Sequence, residues 1–499
     1  MHKYLPVLLL LILYSPVAFS QSVNPPDDVI YNPEVIATIY LNSSAEDKAF
    51  LLDPKNQQNN EYIEAVMTFV NDKLDTLVGT VGLRLRGNTS RSHPKKSFKI
   101  KFKEFGGEKF FGYKKFNLKA ENNDPSFLRE HMALSIYRSL DVPAARSHFV
   151  KLFYNNEYMG LYLNVEQIDD EFVDSRFGSE EGNLYKCSWG SSLRMDNNVY
   201  DNELFELETN KDINDRTILE NFISLLNETG DAALQSELQK SVNVEPLMRF
   251  LAAEALLGHW DGYSFNKNNY YIYENPKTDQ LEFIPYDIDN SFGINWIPLD
   301  WASRDLLNWS NENEKMPLYV RTLEVETFRT MYLSALWLMM EGAFSTEVLF
   351  PVLDRRKELL SEAVKDDPYY SKTFGYSFSD YNNSHDKEVV KHCPYGLKPY
   401  VEKRLLTASE QIPYINSLDD VTVTDGILIA PNPSYGSFIR LSSLSTDEVN
   451  QLRITSISGR EVRFVIDTSQ GVRIFFDDKL SPGVYIVSSQ KRNARLVIL

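Results

Sequence analysis

Apolar and polar positions alternate with period two in two nearby runs. Val81, Leu83 and Leu85 interleave with Gly82, Arg84 and Arg86, and Phe98, Ile100 and Phe102 interleave with Lys99 and Lys101. Side chains two apart share a strand face, so the runs predict two β-strands joined by a polar loop. Extending the second strand back to 96 puts Lys96 on the apolar parity, with Lys99 and Lys101 pointing away. The period changes to 3.6 in DPSFLREHMALSIYRSL, which predicts a helix with Asp124 as N-cap and Pro125 in its first turn. Leu128, Met132, Ala133, Ile136 and Leu140 form one apolar arc of that helix, and Arg129 falls in its middle. RSHFVKLFYNNEYMGLYLNVEQID predicts a hairpin turning at Asn155-Asn156, its second strand ending in Glu166. VEPLMRFLAAEALLGHW predicts a helix ending near Gly258, and YYIY and LEFIPY predict strands around the turn ENPKTDQ. From 426 onward only short strands and turns follow, the pattern of a small β-sandwich. The expected fold class is α+β for the body, followed by a small C-terminal β-sandwich.

The ends of the chain sharpen this division. LPVLLLLILYSPVAF is too short for a usual bilayer span, follows His2 and Lys3, and closes in Ala18-Phe19-Ser20. This predicts a signal peptide over 1–20 with Gln21 leading the mature chain, an N-terminal membrane anchor being the alternative. No later segment combines the length and lack of charge of a membrane span. Residues 21–35, rich in Asn, Pro and Asp, read as a flexible leader, 36–407 as the main body, 408–425 as a linker and 426–499 as the sandwich. A chain of 499 residues with 43% hydrophobic and 24% charged residues is globular and has more than one domain. Cys187 and Cys393 are too few for a disulfide scaffold or a zinc cluster, and their pairing stays open.

Charge changes the picture locally. A net charge of −18 argues against a general nucleic-acid binder. Yet residues 84–119 hold twelve Lys/Arg against only Glu104 and Glu108, a basic island that implies an anionic ligand. Lys96, as the inward lysine, needs a partner or a ligand, and the Gly-Asn-Thr-Ser loop adds donors suited to phosphate oxygens. A solvated basic hairpin is the bland alternative. Arg129 must likewise be paired, with Glu166 or a bound phosphate as candidates, while Glu166 alone also fits a strand-end surface charge.

The strongest chemical signal is GHWDGYSFNKNNYYIYENPKTDQLEFIPYDIDNSFG, 258–293. Asp261 and Asn266 stand five apart in a loop, and a hairpin returns the chain so that Asp287 lies beside them, with Asp289 two positions on. Phosphoryl transfer needs such a set: one carboxylate to orient and deprotonate a hydroxyl, and an amide oxygen and further carboxylates to hold Mg²⁺ or Mn²⁺ on the phosphates. His259, two before Asp261, repeats the order seen in protein kinases. A glycosidase pair or a structural calcium site would also use carboxylates, but neither requires the basic island upstream.

RGNTSRSHPKKSFKIKF, FLREHMALSIYRSLDVPAARSHFVKLFYNNEYMGLYLNVEQID and HWDGYSFNKNNYYIY with FIPYDIDNSFG, in that order, resemble the CotH kinase family of spore-coat protein H-like atypical kinases. The resemblance covers about 80–295. It implies a two-lobed protein-kinase-like catalytic domain over 36–407 with ATP and Mg²⁺ or Mn²⁺ in the cleft. By motif position it implies Asp261 as catalytic base, Asn266 and Asp287 as metal ligands and Lys96 as the phosphate-binding lysine; Asp289 joins the metal set, and Arg86, Arg129 and Glu166 the nucleotide set. Leu281 departs from the aromatic residue carried there by many relatives. The tail, with APNPSYGSF, ITSISGREV, LSPGVYIVSS and KRNARLVIL, resembles the type IX secretion (Por) C-terminal sorting domain of Bacteroidetes. That implies secretion through the periplasm to the cell surface, with the type IX machinery as partner. The expected activity is transfer of the ATP γ-phosphate to a hydroxyl of an exported protein or another acceptor. The alternative is a kinase-fold surface protein without turnover, acting as adhesin or scaffold.

Overall fold

The computed structural model describes residues 22–412 and, in the tail, 428–430, 438–442, 444–456, 461–468, 472–476, 480, 483–489 and 493–498. The expected signal peptide, residues 413–427 of the linker region, and the PNPSYGS and ISGR portions of the tail motifs lie outside the described residues.

Seven strands close into a barrel in the order β1-β2-β3-β4-β5-β7-β6. They are β1 (Ala37–Asn42), β2 (Ile63–Val70), β3 (Asp75–Arg86), β4 (Ser97–Lys101), β5 (Lys115–Lys119), β6 (Ser147–Tyr154) and β7 (Glu157–Glu166). All neighbours are antiparallel except β1 and β6. The alternation noted above closes the barrel: Leu83, Leu85, Phe98, Ile100, Phe116 and Leu118 fill its interior, so every polar alternate on β3, β4 and β5 faces outward. The β6–β7 turn runs through Asn155 and Asn156, both at positive φ, as a two-residue hairpin with Asn in both positions requires. Helix α1 (Ala45–Leu52) links β1 to β2, and α2 (Arg129–Ser139) lies between β5 and β6.

A second apolar cluster holds the helical part. Helix α3 (Asp170–Phe177) leads to a four-stranded sheet ordered β11-β10-β8-β9, formed by β8 (Leu184–Cys187), β9 (Phe205–Leu207), β10 (Tyr270–Asn275) and β11 (Gln280–Pro285). Around it pack α4 (Thr217–Glu228), α5 (Asp231–Ser241), α6 (Val244–Leu257), the short α7 (Tyr263–Asn266), α8 (Pro317–Glu324), α9 (Glu326–Glu341), α10 (Thr346–Lys365), α11 (Phe378–Asp386) and α12 (Leu397–Gln411). A ribbon of β12 (Glu388–Val390) and β13 (Cys393–Tyr395) precedes α12. No single helix among the described residues is long and apolar enough to cross a membrane. Cys187 and Cys393 are both buried free thiols.

In the tail, β14 (Leu428–Ala430), β15 (Phe438–Ser442), β17 (Phe464–Asp467) and β18 (Val472–Phe476) form one sheet. A second contains β16 (Arg453–Ser456), β19 (Gly483–Ser488) and β20 (Asn493–Ile498). Ile439, Ile454, Ile474, Val487 and Leu496 contribute to a third apolar cluster.

Two expectations need correction. The leader is not loose: Ile30 and Tyr31 are buried in the barrel cluster, Asn24 donates to the Val142 carbonyl at 2.7 Å, and Glu34 pairs with Arg356 at 2.6 Å. Composition showed its polar residues, but not the partners waiting for them. Asp124 does not cap α2, which starts at Arg129; its carboxylate instead accepts from the backbone N–H of Ser126 and of Arg129.

Candidate functional site

Helix α6 ends at Gly258, whose φ of 69° and close approach to Tyr400 leave no room for a side chain. The chain then turns through His259 and Asp261 into α7. Buried Glu254 anchors this turn by accepting from the backbone N–H groups of Tyr263 and Ser264 at 2.8 and 3.1 Å and from the Ser264 hydroxyl. A Cβ on Gly262 would lie 2.2 Å from Glu254 Oε1, so only glycine allows the approach. Burial pushes the Glu254 carboxyl up to about 7 and the His259 imidazole down to about 4. The result is a stiff loop that presents Asp261.

Four amides hold Asp261. Asn266 and Asn268 donate to Oδ1 at 2.6 and 3.2 Å, and Asn269 and Asn290 donate to Oδ2 at 3.1 and 3.2 Å. Burial still raises its pKa, outweighing the donated hydrogen bonds from Asn266 and Asn268, which makes it a stronger base than a free aspartate. Because Asn266 uses its nitrogen on Asp261, its side-chain oxygen is left as a donor for a cation.

The hairpin β10–β11 pairs Tyr270 with Pro285 and brings the following residues back to this loop, with Tyr286 N–H donating to the Asn269 carbonyl at 3.2 Å. Asp287, at φ 52°, is the turn residue. Its carboxylate receives the ammonium of Lys119, the last residue of β5, which also binds Glu130 in the first turn of α2. Lys119 is 11% exposed and Glu130 2%. Burial acts against the Lys119 charge, but Asp287 and Glu130 hold its pKa well above the usual lysine range. Burial likewise raises Asp287, yet Lys119 and Arg86 bring it below the ordinary value. Asp289 is lifted well above by burial and by Asp287, Glu130 and Asp261, despite Lys119. Glu121 is buried with neither carboxylate oxygen hydrogen-bonded among the described residues, and burial and Glu130 raise its pKa strongly. Four acids, Glu121, Glu130, Asp287 and Asp289, thus crowd around Lys119.

The expected nucleotide residues behave differently from one another. Arg86, at the end of β3, reaches the site and donates to the Tyr286 hydroxyl at 3.2 Å. Lys96 is not the inward lysine: β4 begins at Ser97, and Lys96 donates to the Arg91 carbonyl. Lys95 turns inward instead, forming an ion pair with Asp367 at 2.7 Å in which the two side chains are 2% and 0% exposed. Arg129 is fully buried and bound to Asp124 and the carbonyls of Phe292 and Tyr395, with no path to a ligand. Glu166 pairs with Arg146 and Arg176 at 2.6 and 2.5 Å, which overcome its burial and lower its pKa to about 2. Arg129 and Glu166 are therefore structural ion pairs, not partners of each other. Lys119 and Glu130 escaped the sequence reading. Lys119 closes KFNLK on the parity of Lys115, and Glu130 follows Arg129 in the predicted helix, but nothing local to either names Asp287 as a neighbour.

The sequence profile of the CotH kinase protein family matches residues 83–406, a span that includes Lys119, Glu130, Asp261, Asn266, Asp287 and Asp289. The chain belongs to the CotH kinase protein family. Inner spore coat protein H of Bacillus subtilis (strain 168) is 26% identical over 321 residues, 63% of this chain and 84% of that protein. Spore coat protein homolog 1 of Rhizopus delemar is 22% identical over 424 residues, 79% of this chain and 67% of the relative. Among solved structures, the Helicobacter pylori proinflammatory kinase CtkA aligns with 66% of this chain and 95% of its own at 10% identity, with a TM-score of 0.28, too weak a likeness to define the fold.

Membership of a kinase family implies ATP and a divalent metal in general terms. The site fits a divalent ion by the chemistry of its side chains. Among the described residues no three His, Cys, Asp or Glu side chains converge as a closed metal cage. Mg²⁺ and Mn²⁺ in phosphotransferases ask for less: one or two carboxylates, with phosphate and water oxygens completing the shell. Asp287, Asp289 and the Asn266 oxygen could hold such an ion, and the uncompensated acids beside them favour a cation.

Proposed function

We propose that this chain is an ATP-dependent phosphotransferase of the CotH type that moves the γ-phosphoryl group to a hydroxyl, with protein Ser or Thr as the acceptor class. The observation that carries the reading is the joint grip of Lys119 on Glu130 and Asp287, opposite the amide-held Asp261. Lys119, steered by Glu130, binds phosphate oxygens, and Asp287, Asp289 and Asn266 hold the divalent ion. A bound ion supplies charge neutralisation on the phosphates. Asp261 orients the acceptor hydroxyl and takes its proton as the oxygen bonds to the γ-phosphorus; the bond to the β–γ bridging oxygen breaks and ADP leaves. In this reading the barrel and the helical part are the two lobes of a kinase-like arrangement.

Calorimetry of ATP binding with and without Mn²⁺ tests the reading. Binding that depends on the metal is expected, and absence of heat in both titrations would refute it. Binding without any transfer to added proteins would instead favour the scaffold alternative. We further propose, from the tail motifs alone, export by the type IX route. Residues 420–499 fused to a periplasmic reporter are expected to carry it to the surface of a host with that machinery; periplasmic retention overturns this.

A further inference from the structure

The outward face of β3, β4 and β5 is a grid of cations. Lys99 stands directly opposite Arg84 on β3 and Asn117 on β5, so its diagonal neighbours are Arg86 on one side and Lys115 and Lys119 on the other. Every other cation of the grid has a partner. Arg84 donates to Asn60, Arg86 to Tyr286, Lys101 pairs with Glu104, Lys115 with Asp169 at 3.6 Å, and Lys119 with Glu130 and Asp287. Lys99 has no ion-pair partner among the described residues. It lines a small cavity beside the site with Arg86, Lys119 and Lys186, closed on the far side by Glu208, Tyr271 and Tyr286. The other two carboxylates of that cavity are already engaged, Glu130 by Lys119 and Glu166 by Arg146 and Arg176. The chain as a whole carries a net charge of −18, yet this cavity carries surplus positive charge.

We propose that Lys99 is a proton-linked ligand for oligophosphate: it takes up a proton as the phosphate enters and releases it as the phosphate leaves. The inference rests on the phosphotransferase reading of the adjacent site and gives it a pH dependence. Burial, then Lys115, Arg86 and Arg84, push the Lys99 ammonium down to about 7, and the opposing pull of Glu208 is the weaker one. Near neutrality the free protein therefore carries Lys99 partly as the amine. A multiply charged phosphate placed among Arg86, Lys99, Lys119 and Lys186 reverses the local field and favours the ammonium. The sign follows: the bound form has the higher Lys99 pKa, so binding absorbs a proton above pH 7 and affinity falls as pH rises. Lysine suits this role where arginine would not, since a guanidinium keeps its charge throughout.

The experiment measures binding of ATP, whose terminal phosphate titrates below this range, and of inorganic tripolyphosphate, whose last proton titrates within it, from pH 7.5 to 9.0 in two buffers of different ionisation enthalpy, with the Lys99 variants as the reference for the ligand's own titration. Wild type is expected to lose about tenfold in affinity over that range, with heats that differ between buffers by the enthalpy of up to one proton. Lys99→Met should bind more weakly at pH 7.5, meet wild type near pH 9 and show a flattened profile. Lys99→Arg should stay tight and flat throughout. Lys99→Met also removes a charge among like charges, so its melting temperature should equal or exceed that of wild type, which checks the fold. Equal pH slopes in wild type and both variants would overturn the role of Lys99 even if ATP binds. Proton-linked tripolyphosphate binding without ATP binding would support Lys99 and count against the nucleotide reading. Binding of neither at pH 7.5 would overturn both.

Discussion

Lys119→Met should lower phosphoryl transfer by about a thousandfold and leave Lys96→Met, its neighbour in the basic island, near wild-type activity. Lys119 pairs with both Glu130 and Asp287, where the phosphates of a nucleotide would meet the proposed metal ligands. Removing a preorganised charge on a transferring phosphoryl group typically costs 10² to 10³ in rate, roughly 3–4 kcal/mol of transition-state stabilisation. The same substitution strips the local cation from Glu121, Glu130, Asp287 and Asp289, so the free protein should also lose stability. Breaking a buried pair costs about 3–5 kcal/mol, less here because protonation of Asp289 and Glu121, already raised, relieves part of the repulsion. Glu130→Gln separates the two effects. It keeps Lys119 on Asp287 and loses only the steering contact, so transfer should drop about tenfold in a well-folded protein. Steady-state transfer rates, with thermal melts of the same samples, measure both. Wild-type transfer by folded Lys119→Met, or a large loss in Lys96→Met, would return the phosphate lysine to the loop.

Why the sequence pointed to Lys96 and not to Lys119 is a matter of barrel geometry. Period-two alternation correctly separates the two faces of β4, and the predicted strands and the Asn155-Asn156 hairpin stand in the structure nearly as drawn. What alternation does not say is which face meets a ligand. In a closed barrel the inner face is filled by Phe98, Ile100 and their neighbours, so the outward lysines are the ones that reach the site. The inward lysine does exist, one residue earlier, and Lys95 solves the burial problem with Asp367, 272 residues away. No local pattern could name that partner. Arg129 and Glu166 show the same limit: the need of Arg129 for a partner was legible, Glu166 read equally well as a strand-end surface charge, and Asp124, Arg146 and Arg176 emerged only once the chain was folded. Asp261, Asn266 and Asp287 were legible because a single hairpin, β10–β11, brings them together within 27 residues of sequence. Glu121 and Glu130 were not, since they arrive from the barrel side.

Chemistry and binding should part at Asp261 and Asp287. The Asp261 carboxylate is held by Asn266, Asn268, Asn269 and Asn290, and none of these contacts touches the Lys119–Asp287 pair. Asp261→Asn keeps the shape: the new nitrogen can take the Oδ2 place, where Asn269 can turn to offer its oxygen, so Asn266 keeps its nitrogen on residue 261 and its oxygen for the ion. Metal-dependent ATP binding should therefore stay close to wild type. Transfer should fall by about a hundredfold or more, the usual contribution of a general base. Because burial raises the Asp261 pKa, wild-type transfer should also decline on the acid side as that carboxylate takes up its proton, and this limb should vanish in the variant. Asp287→Asn fails earlier in the sequence of events. A neutral amide replaces the charged ligand of a divalent ion, so ATP binding should lose its response to Mn²⁺ altogether. Lys119 would then rest on Glu130 alone, which keeps the fold and leaves the nucleotide with its lysine but not its metal. Superimposable Mn²⁺ titrations of ATP binding for wild type, Asp261→Asn and Asp287→Asn would refute this assignment of base and metal ligand.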